Sequence, residues 1–230
     1  MTLEFELKYV IPNHRLSFVL EFLKARCNPD PVFQSATISS IYFDSTSLHF
    51  LDEKINSDFY KNKIRIRWYK DTQTKEFSRV AYLENKKRFG SQRLKPRTPF
   101  KFSPELLDTL PLEDSRLLNV EQTLAEMGFI SPQPIFPTIL IQYKRQRFVD
   151  PVYQTRISVD SDIRSPRVNR LLLPSGGAST LQLAVVEIKG KESFLQQNLS
   201  PLITLGLRKA SFSKYLSCMA RSHNMTFDPR

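Results

Sequence analysis

Residues 63–69 read Lys63-Ile64-Arg65-Ile66-Arg67-Trp68-Tyr69, a strict alternation of cationic and apolar side chains. A repeat of two residues marks a β-strand, because successive side chains leave opposite faces of the backbone. Lys63, Arg65 and Arg67 therefore share one face, and Ile64, Ile66 and Trp68 share the other. Arginine is not a favoured strand residue, so its repeated placement at mid-strand needs a reason.

The pattern recurs outward in both directions. Upstream, Glu4, Glu6 and Lys8 share a face of 3–11, with Phe5, Leu7 and Tyr9 opposite. Downstream the like-facing sets are Glu84, Lys86 and Arg88 in 77–89, then Lys95 and Arg97 in 93–98. Next come Tyr143, Arg145 and Arg147 in 138–149, and Arg156, Ser158, Asp160 and Asp162 in 154–163. Glu187 and Lys189 follow in 181–190. The β-branched and aromatic segment 37–43 reads as another strand, and Gly90-Ser91 as a hairpin turn. Asn13 is a cap for a helix running to about Cys27. Asp44-Ser45-Thr46 opens a short helix to about Lys54. Two helices are expected in 102–129, started by Pro104 and by Asp114 or Ser115, and two more at roughly 192–205 and 209–223. Residues 164–180 read as the longest loop. Strands, helices, strands and helices with hairpin links predict an α+β fold on an antiparallel sheet. The chain reads as one domain over 1–224, with a frayed tail at 225–230.

Composition narrows the chemistry. The 230 residues carry 34 Lys and Arg against 23 Asp and Glu, a net charge of +11, which points to a polyanionic partner. With 17 Phe and 8 Tyr the chain is not disordered, and its length is ample for a core. Six glycines, with no GxGxxG or GxxxxGK[ST], argue against a glycine-rich nucleotide loop. Cys27 and Cys218 are far apart, and His14, His49 and His223 form no ligand spacing, so thiol, zinc and Ser-His chemistry are not expected. No apolar run is long enough to span a bilayer. The acidic start Met1-Thr2-Leu3-Glu4-Phe5-Glu6 is unlike a signal peptide, so a cytoplasmic location is expected.

Two arrangements fit the recurring charged faces. In an open sheet the apolar face meets helices and the charged face meets water, and pattern alone favours this one. In a closed sheet the charges point into a lumen. That lumen is costly when empty, because desolvated like charges repel, and it makes sense only if water or a polyanion fills it. A linear phosphate chain is the natural filler, since arginine forks match phosphate oxygens and lysine adds point charge. Interspersed carboxylates would then hold a divalent cation.

Here the residues resemble a family. Glu4-x-Glu6-x-Lys8 is similar to the ExExK signature of the triphosphate tunnel metalloenzymes. The remaining segments resemble the branch containing the polyphosphate polymerase domain of the vacuolar transporter chaperone complex. They are ELKYVI (6–11), SSIYFDS (39–45), KIRIRWY (63–69), YLENKKRFG with LKPR (82–97), QYKRQRF (142–148), TRISVDSDI (155–163), AVVEIKG (184–190) and ASFSKY (210–215).

The resemblance implies a closed eight-stranded antiparallel β-barrel with helices packed outside. It implies that Lys8, Arg65, Arg67, Lys86, Arg145, Arg156, Lys189 and Lys214 line the tunnel and grip triphosphate or polyphosphate. Lys95, with Arg97 as its rival, Tyr143 and Ser213 match further substrate positions. Glu187 matches the metal-binding glutamate, for Mn²⁺ or Mg²⁺, with Glu6, Glu4 and Glu84 as helpers. The chain departs from the pattern at Ser211, where a lysine is usual and Lys209 is the substitute. It departs again at Asn85, where an apolar residue is usual and a small cost is expected. The implied activity is phosphoryl transfer from ATP or triphosphate to a polyphosphate end. Tri- or polyphosphate hydrolysis is the alternative, and a non-catalytic polyphosphate-binding or nucleic-acid-binding module is the alternative of another class. A nucleic-acid partner is disfavoured, because the cations are spread over separate strands. The resemblance covers the catalytic part alone, so synthesis coupled to membrane translocation is not expected of this chain by itself.

Overall fold

A computed structural model describes residues 4–90 and 92–222. The proposed tail at 225–230, residue 224, His223 and Ser91 of the proposed turn lie outside them. Among the described residues fourteen strands form. They are Phe5–Pro12 (β1), Asn28–Pro29 (β2), Ser35–Asp44 (β3), Tyr60–Lys61 (β4), Ile64–Asp71 (β5), Tyr82–Asn85 (β6), Lys87–Phe89 (β7), Gln92–Leu94 (β8), Arg97–Pro99 (β9), Phe136–Val149 (β10), Arg156–Val168 (β11), Ser179–Thr180 (β12), Leu183–Gly190 (β13) and Arg208–Lys209 (β14). Six α-helices accompany them: Leu16–Arg26 (α1), His49–Ile55 (α2), Pro104–Thr109 (α3), Val120–Glu126 (α4), Pro201–Thr204 (α5) and Lys214–Ser222 (α6).

The fold is α+β. One antiparallel sheet follows the path β14-β1-β13-β11-β10-β3-β5-β6-β9, with β12 added to β11 and β2 to β10. A separate small sheet has the order β4-β7-β8. No ladder joins β14 to β9 among the described residues, so the main path has two free ends rather than the eight-stranded closed ring expected. The sheet is nevertheless curled, since Glu6 of β1 and Arg97 of β9 line one cavity.

The outward face of the curl holds the fold together. Ile64, Ile66 and Trp68 of β5 are fully buried against Ile41, Phe43, Leu83, Leu107 of α3 and Leu124 of α4. Each such side chain contributes about 1.5–3 kcal/mol by leaving water. Trp68 also donates its indole N–H to Asp108 at 3.3 Å. On the other flank Leu7, Tyr9 and Ile11 of β1 pack on Val19 and Leu23 of α1 and on Leu202 of α5.

The expectation of helices outside holds for α1, α3, α4 and α5 and is corrected for α6. Its Tyr215, Leu216 and Met219 pack on Tyr42, Ile139, Ile141, Tyr143 and Val185. Register places these on the inner face: Ile139 pairs with Tyr42, and Tyr42 pairs with Arg65. The inner face is thus charged in one part and apolar in another, and α6 fills the apolar part. Asp44 fixes it there. Its carboxylate accepts from the Phe50 and Leu51 amides at the start of α2 (2.9 and 3.0 Å) and from the Tyr215 hydroxyl (2.7 Å).

Local departures have local causes. Asn13 does not cap a helix; its side-chain amide donates to the Leu181 carbonyl at 3.3 Å, and a 3₁₀ turn precedes α1. The segments 77–89 and 93–98 each split, at Asn85 and at Pro96. The Asn85 backbone N–H donates to the Pro96 carbonyl, but Pro96 has no N–H to return, so the chain leaves the main sheet for the small one. In 192–205 only a 3₁₀ turn, Gln197–Leu199, and α5 form, because Pro201 can start a helix but not continue one. Strand β11 extends to Val168 and β12 occupies Ser179–Thr180, so the 164–180 loop is shorter than expected, and Arg208–Lys209 is a strand before α6.

Asn85 is 0% exposed, and neither side-chain polar atom finds a partner among the described residues. The cost is therefore larger than the small one expected, about 1–3 kcal/mol for an unsatisfied buried amide. Leu83, two residues back, belongs to the outer apolar cluster. Asn85→Val should raise the unfolding free energy by about 1 kcal/mol in a urea titration; equal or lower stability would show that the amide is satisfied.

Candidate functional site

The inner charged face encloses a chamber of about 380 Å³. Strand register sets several of the cations beside carboxylates. Lys8 of β1 lies opposite Glu187 of β13, Arg145 of β10 opposite Asp160 of β11, and Arg65 of β5 opposite Glu84 of β6, which pairs in turn with Arg97 of β9. The faces agree because paired residues of neighbouring strands project the same way.

Asp160 is the deepest group, with a fully buried side chain. Arg145 donates to it through Nε and Nη2 (2.5 and 2.6 Å), and the Lys214 ammonium lies 2.5 Å away. Glu187 sits among three cations: Arg145 at 3.3 Å, Lys8 at 3.5 Å and Lys214 at 3.9 Å. Burial alone would raise the Glu187 carboxyl, but Lys214, Lys8 and Arg145 hold it well below the usual range. Glu6 shares the Lys8 ammonium at 3.1 Å. Against the effect of burial, Lys8 and Lys86 bring its pKa down to about 2. Glu84 accepts from Arg65 Nε at 2.7 Å and lies 3.9 Å from Arg67, while Tyr42 accepts from Arg65 Nη1 at 3.2 Å. The Tyr143 ring lies under the Lys214 ammonium at 4.6 Å and the Arg145 guanidinium at 5.5 Å.

Lys86, Lys95, Lys189 and Ser213 also face this chamber. Burial and the neighbouring Lys8 push the Lys86 ammonium down to about 7. A second cavity of about 480 Å³, the vestibule, adjoins the first and shares Glu6, Lys8, Lys63 and Lys86 with it. Lys209 and Ser211 line the vestibule rather than the chamber. Arg156 and Glu4 are brought to neither; they pair with each other at the exposed rim. Asp160 acts as an ion-pair partner of the arginines, and Asp162 pairs with Lys144 at 3.4 Å on the outside.

Sequence reasoning gave no role to Lys63. Its ammonium donates to the Ser213 hydroxyl at 2.9 Å, and burial, Lys86, Lys8 and Lys54 push it well below its usual pKa. The signal was present in the Lys63-x-Arg65-x-Arg67 alternation. Tyr42 was likewise passed over, because a tyrosine on a strand has ordinary structural roles.

A divalent metal fits the donor set. Glu6 and Glu187 flank Lys8, both are all-oxygen donors, and both are ionised at neutral pH. No group of three or more His, Cys, Asp or Glu converges among the described residues. The chain can thus offer a hard cation one or two carboxylates, and substrate oxygens and water must complete its shell, the usual arrangement for Mg²⁺.

With this geometry in place, the likeness to known proteins is specific. The sequence model of the VTC domain matches residues 3–223. No curated protein sequence matches the chain. A Bacillus halodurans protein described as a candidate adenylate cyclase shares the fold, with TM-score 0.52, 12% identity, and 93% of this chain and 96% of that one covered. A Vibrio parahaemolyticus protein of the same description aligns at TM-score 0.45 and 13% identity over 95% and 98% of the two chains. A Pyrococcus horikoshii protein aligns at 0.46 and 11% over 89% and 92%.

Asp160 is the test of the ion cluster. Asp160→Asn leaves Arg145 and Lys214 only Glu187, which Lys8 already shares, and should cost about 3–5 kcal/mol of stability, read by chemical denaturation. Added inorganic triphosphate should restore part of that loss. A variant as stable as the parent would mean that the cations do not depend on Asp160.

Proposed function

The chain belongs to the VTC domain family of the triphosphate tunnel superfamily, and on that premise we propose that it is a cytoplasmic phosphotransferase of the polyphosphate polymerase type. It draws the phosphates of ATP, inorganic triphosphate or polyphosphate into the chamber and transfers a phosphoryl group to a polyphosphate end. The observation that carries this reading is the chamber lining, ten Lys and Arg against three Glu. Such an excess is costly in an empty chamber and is relieved by an anion that fills it.

Phosphoryl transfer asks for positioning and neutralisation more than covalent chemistry. Arg65, Arg67 and Arg145 present forks for the non-transferred oxygens, each aimed by a carboxylate or hydroxyl partner: Glu84 and Tyr42, Ser40, and Asp160. Lys8, Lys86, Lys189, Lys214 and Lys63 add point charge, and Lys95 and Arg97 extend it along the chamber. The Tyr143 and Ser213 hydroxyls are donors to the same oxygens. Glu187 and Glu6 would hold Mg²⁺ or Mn²⁺, which neutralises charge on the phosphate oxygens it touches. Glu84 is engaged by arginines and is read as a positioning group. Glu4 and Arg156 are read as a first contact at the rim. The reading includes closure: β1 and β9 face one cavity, and Arg93 reaches Glu6 at 2.9 Å, so a phosphate chain between the sheet's ends would complete a tunnel.

The acceptor follows from the carboxylates. Water attack needs a base; Glu6 at about 2 and Glu187 well below its usual range are poor ones, which leaves Lys86, pushed down to about 7, as the base of that alternative. A polyphosphate end is already anionic and needs none. This favours polymerisation over hydrolysis. Cations turned into a chamber of about 380 Å³ likewise favour a thin phosphate chain over duplex nucleic acid.

Incubation with ATP and Mn²⁺ should yield polyphosphate on a gel, and Glu187→Gln should abolish it. Free phosphate as the sole product would move the reading to hydrolysis, and neither product would leave a binding role. Arg65→Ala should weaken triphosphate binding on the order of ten- to a hundredfold, the worth of a charge-assisted hydrogen bond.

Binding should also take up protons. A lysine whose pKa is depressed in the free protein is partly neutral just above neutrality, and a bound phosphate raises its pKa and recharges it. Calorimetry in two buffers of different ionisation enthalpy reads this uptake, and Lys63→Met should reduce it. Uptake unchanged in that variant would remove Lys63 from the binding set.

A further inference from the structure

The small sheet carries opposite chemistries on its two faces. Lys61 pairs with Arg88, and Arg88 with Arg93, so these three share a face, and all three line the vestibule. Tyr60 pairs with Phe89, and Lys87 with Leu94, so the other face carries Tyr60, Phe89 and Leu94 beside Lys87. Phe59 extends it. Its ring meets Phe89 edge-on with centroids 5.6 Å apart, and Tyr60 does so at 5.0 Å. The ridge stands out from the protein: Phe59 is 69% exposed, Phe89 56% and Leu94 64%. It is also built closely. Gly90, at φ +53°, turns beneath Phe59, where a Cβ would come within 2.6 Å of the ring.

Clustered exposed apolar side chains mark an interaction surface, and charge selects what covers this one. The small sheet itself carries Lys61, Lys87, Arg88 and Arg93, with Asp58 the one acid next to the ridge in sequence, while Lys63, Lys86, Lys95 and Arg97 turn into the chamber. A second copy of the chain would set cation against cation, so self-association is disfavoured. The partner must be anionic at its surface and apolar beneath. A protruding ridge is not shaped to receive a helix or peptide. It matches a lipid surface, where aromatic and leucine side chains enter the headgroup boundary while flanking Lys and Arg reach the phosphates. We propose that the β4-β7-β8 sheet docks this protein on an anionic membrane surface, with Phe59, Tyr60, Phe89 and Leu94 in the lipid interface. The vestibule, lined by the reverse face of the same strands, then lies beside the headgroups. No helix among the described residues is long and apolar enough to cross a membrane; the contact proposed is the ridge's own. The inference is independent of the reaction proposed above.

The test is co-sedimentation of the whole chain with two kinds of vesicle: phosphatidylcholine alone, and phosphatidylcholine mixed with phosphatidylserine. The protein should partition to the mixed vesicles and less so at raised salt. The double variant Phe59→Ser, Phe89→Ser keeps every charge and should partition on the order of tenfold more weakly. Ile203→Ser, which removes an exposed apolar side chain elsewhere, should partition like the parent. Triphosphate binding, measured on the same samples, should be equal in all three and reports separately on the chamber. The proposal is overturned if the double variant partitions like the parent, since the basic vestibule would then account for binding. It is also overturned if the parent stays in solution with both vesicles, which would leave the ridge to an acidic protein partner.

Discussion

The interior depends on one buried carboxylate. Asp160 comes from β11, the guanidinium it receives from β10, and the ammonium from the first turn of α6. Without that carboxylate, β10 and α6 would present like charges to each other in a place water reaches poorly. A buried charge is tolerated only when paired and hydrogen-bonded, and a carboxylate that accepts a bidentate fork and an ammonium meets that condition. Glu187 repeats the device one strand away with Lys8, Arg145 and Lys214. The carboxylates therefore hold the cations in place while leaving a net positive surface in the chamber.

The same economy explains the division of labour across the sheet. The outer face carries Ile64, Ile66, Trp68, Leu7 and Ile11 and stabilises the fold by ordinary burial. That leaves the inner face free to be polar. The inner face is not uniform, however: it changes from Arg145 through Tyr143 to Ile141 along a single strand. Helix α6 covers the apolar stretch, and Lys214 at its start is delivered to the charged one. The Asp44–Tyr215 hydrogen bond is thus a site interaction at one remove, because it seats the helix that supplies Lys214.

Much of this was legible in the alternation of the strands. Arg65, Arg67, Lys86, Arg145, Lys189 and Glu187 fall on the expected face because a two-residue period fixes which side chains share it. The resemblance supplied Lys214, which no strand pattern reaches. Lys63 was readable by the same alternation and was left without a role. Arg156 has the right parity and pairs with Lys189, yet its side chain turns to Glu4 at the rim. Parity gives a face but not a depth. Lys209 has the right sequence neighbourhood and lies in the vestibule, because the short strand β14 pairs with β1 and sets it there.

Sequence by itself determined the two-faced strands, the antiparallel α+β order, the family and most of the cations, because these rest on local periodicity and on short motifs. Only the tertiary structure decided what those faces enclose. The curl of the sheet brings β1 and β9 to one cavity, cross-strand register gives Arg65 and Arg145 their carboxylates, and α6 enters the inside rather than the outside. The kink at Asn85 and Pro96 turns a small sheet away from the main one with aromatic side chains on its far face. Each of these depends on residues distant in sequence meeting in space, and a period of two carries no information about which strand will stand opposite.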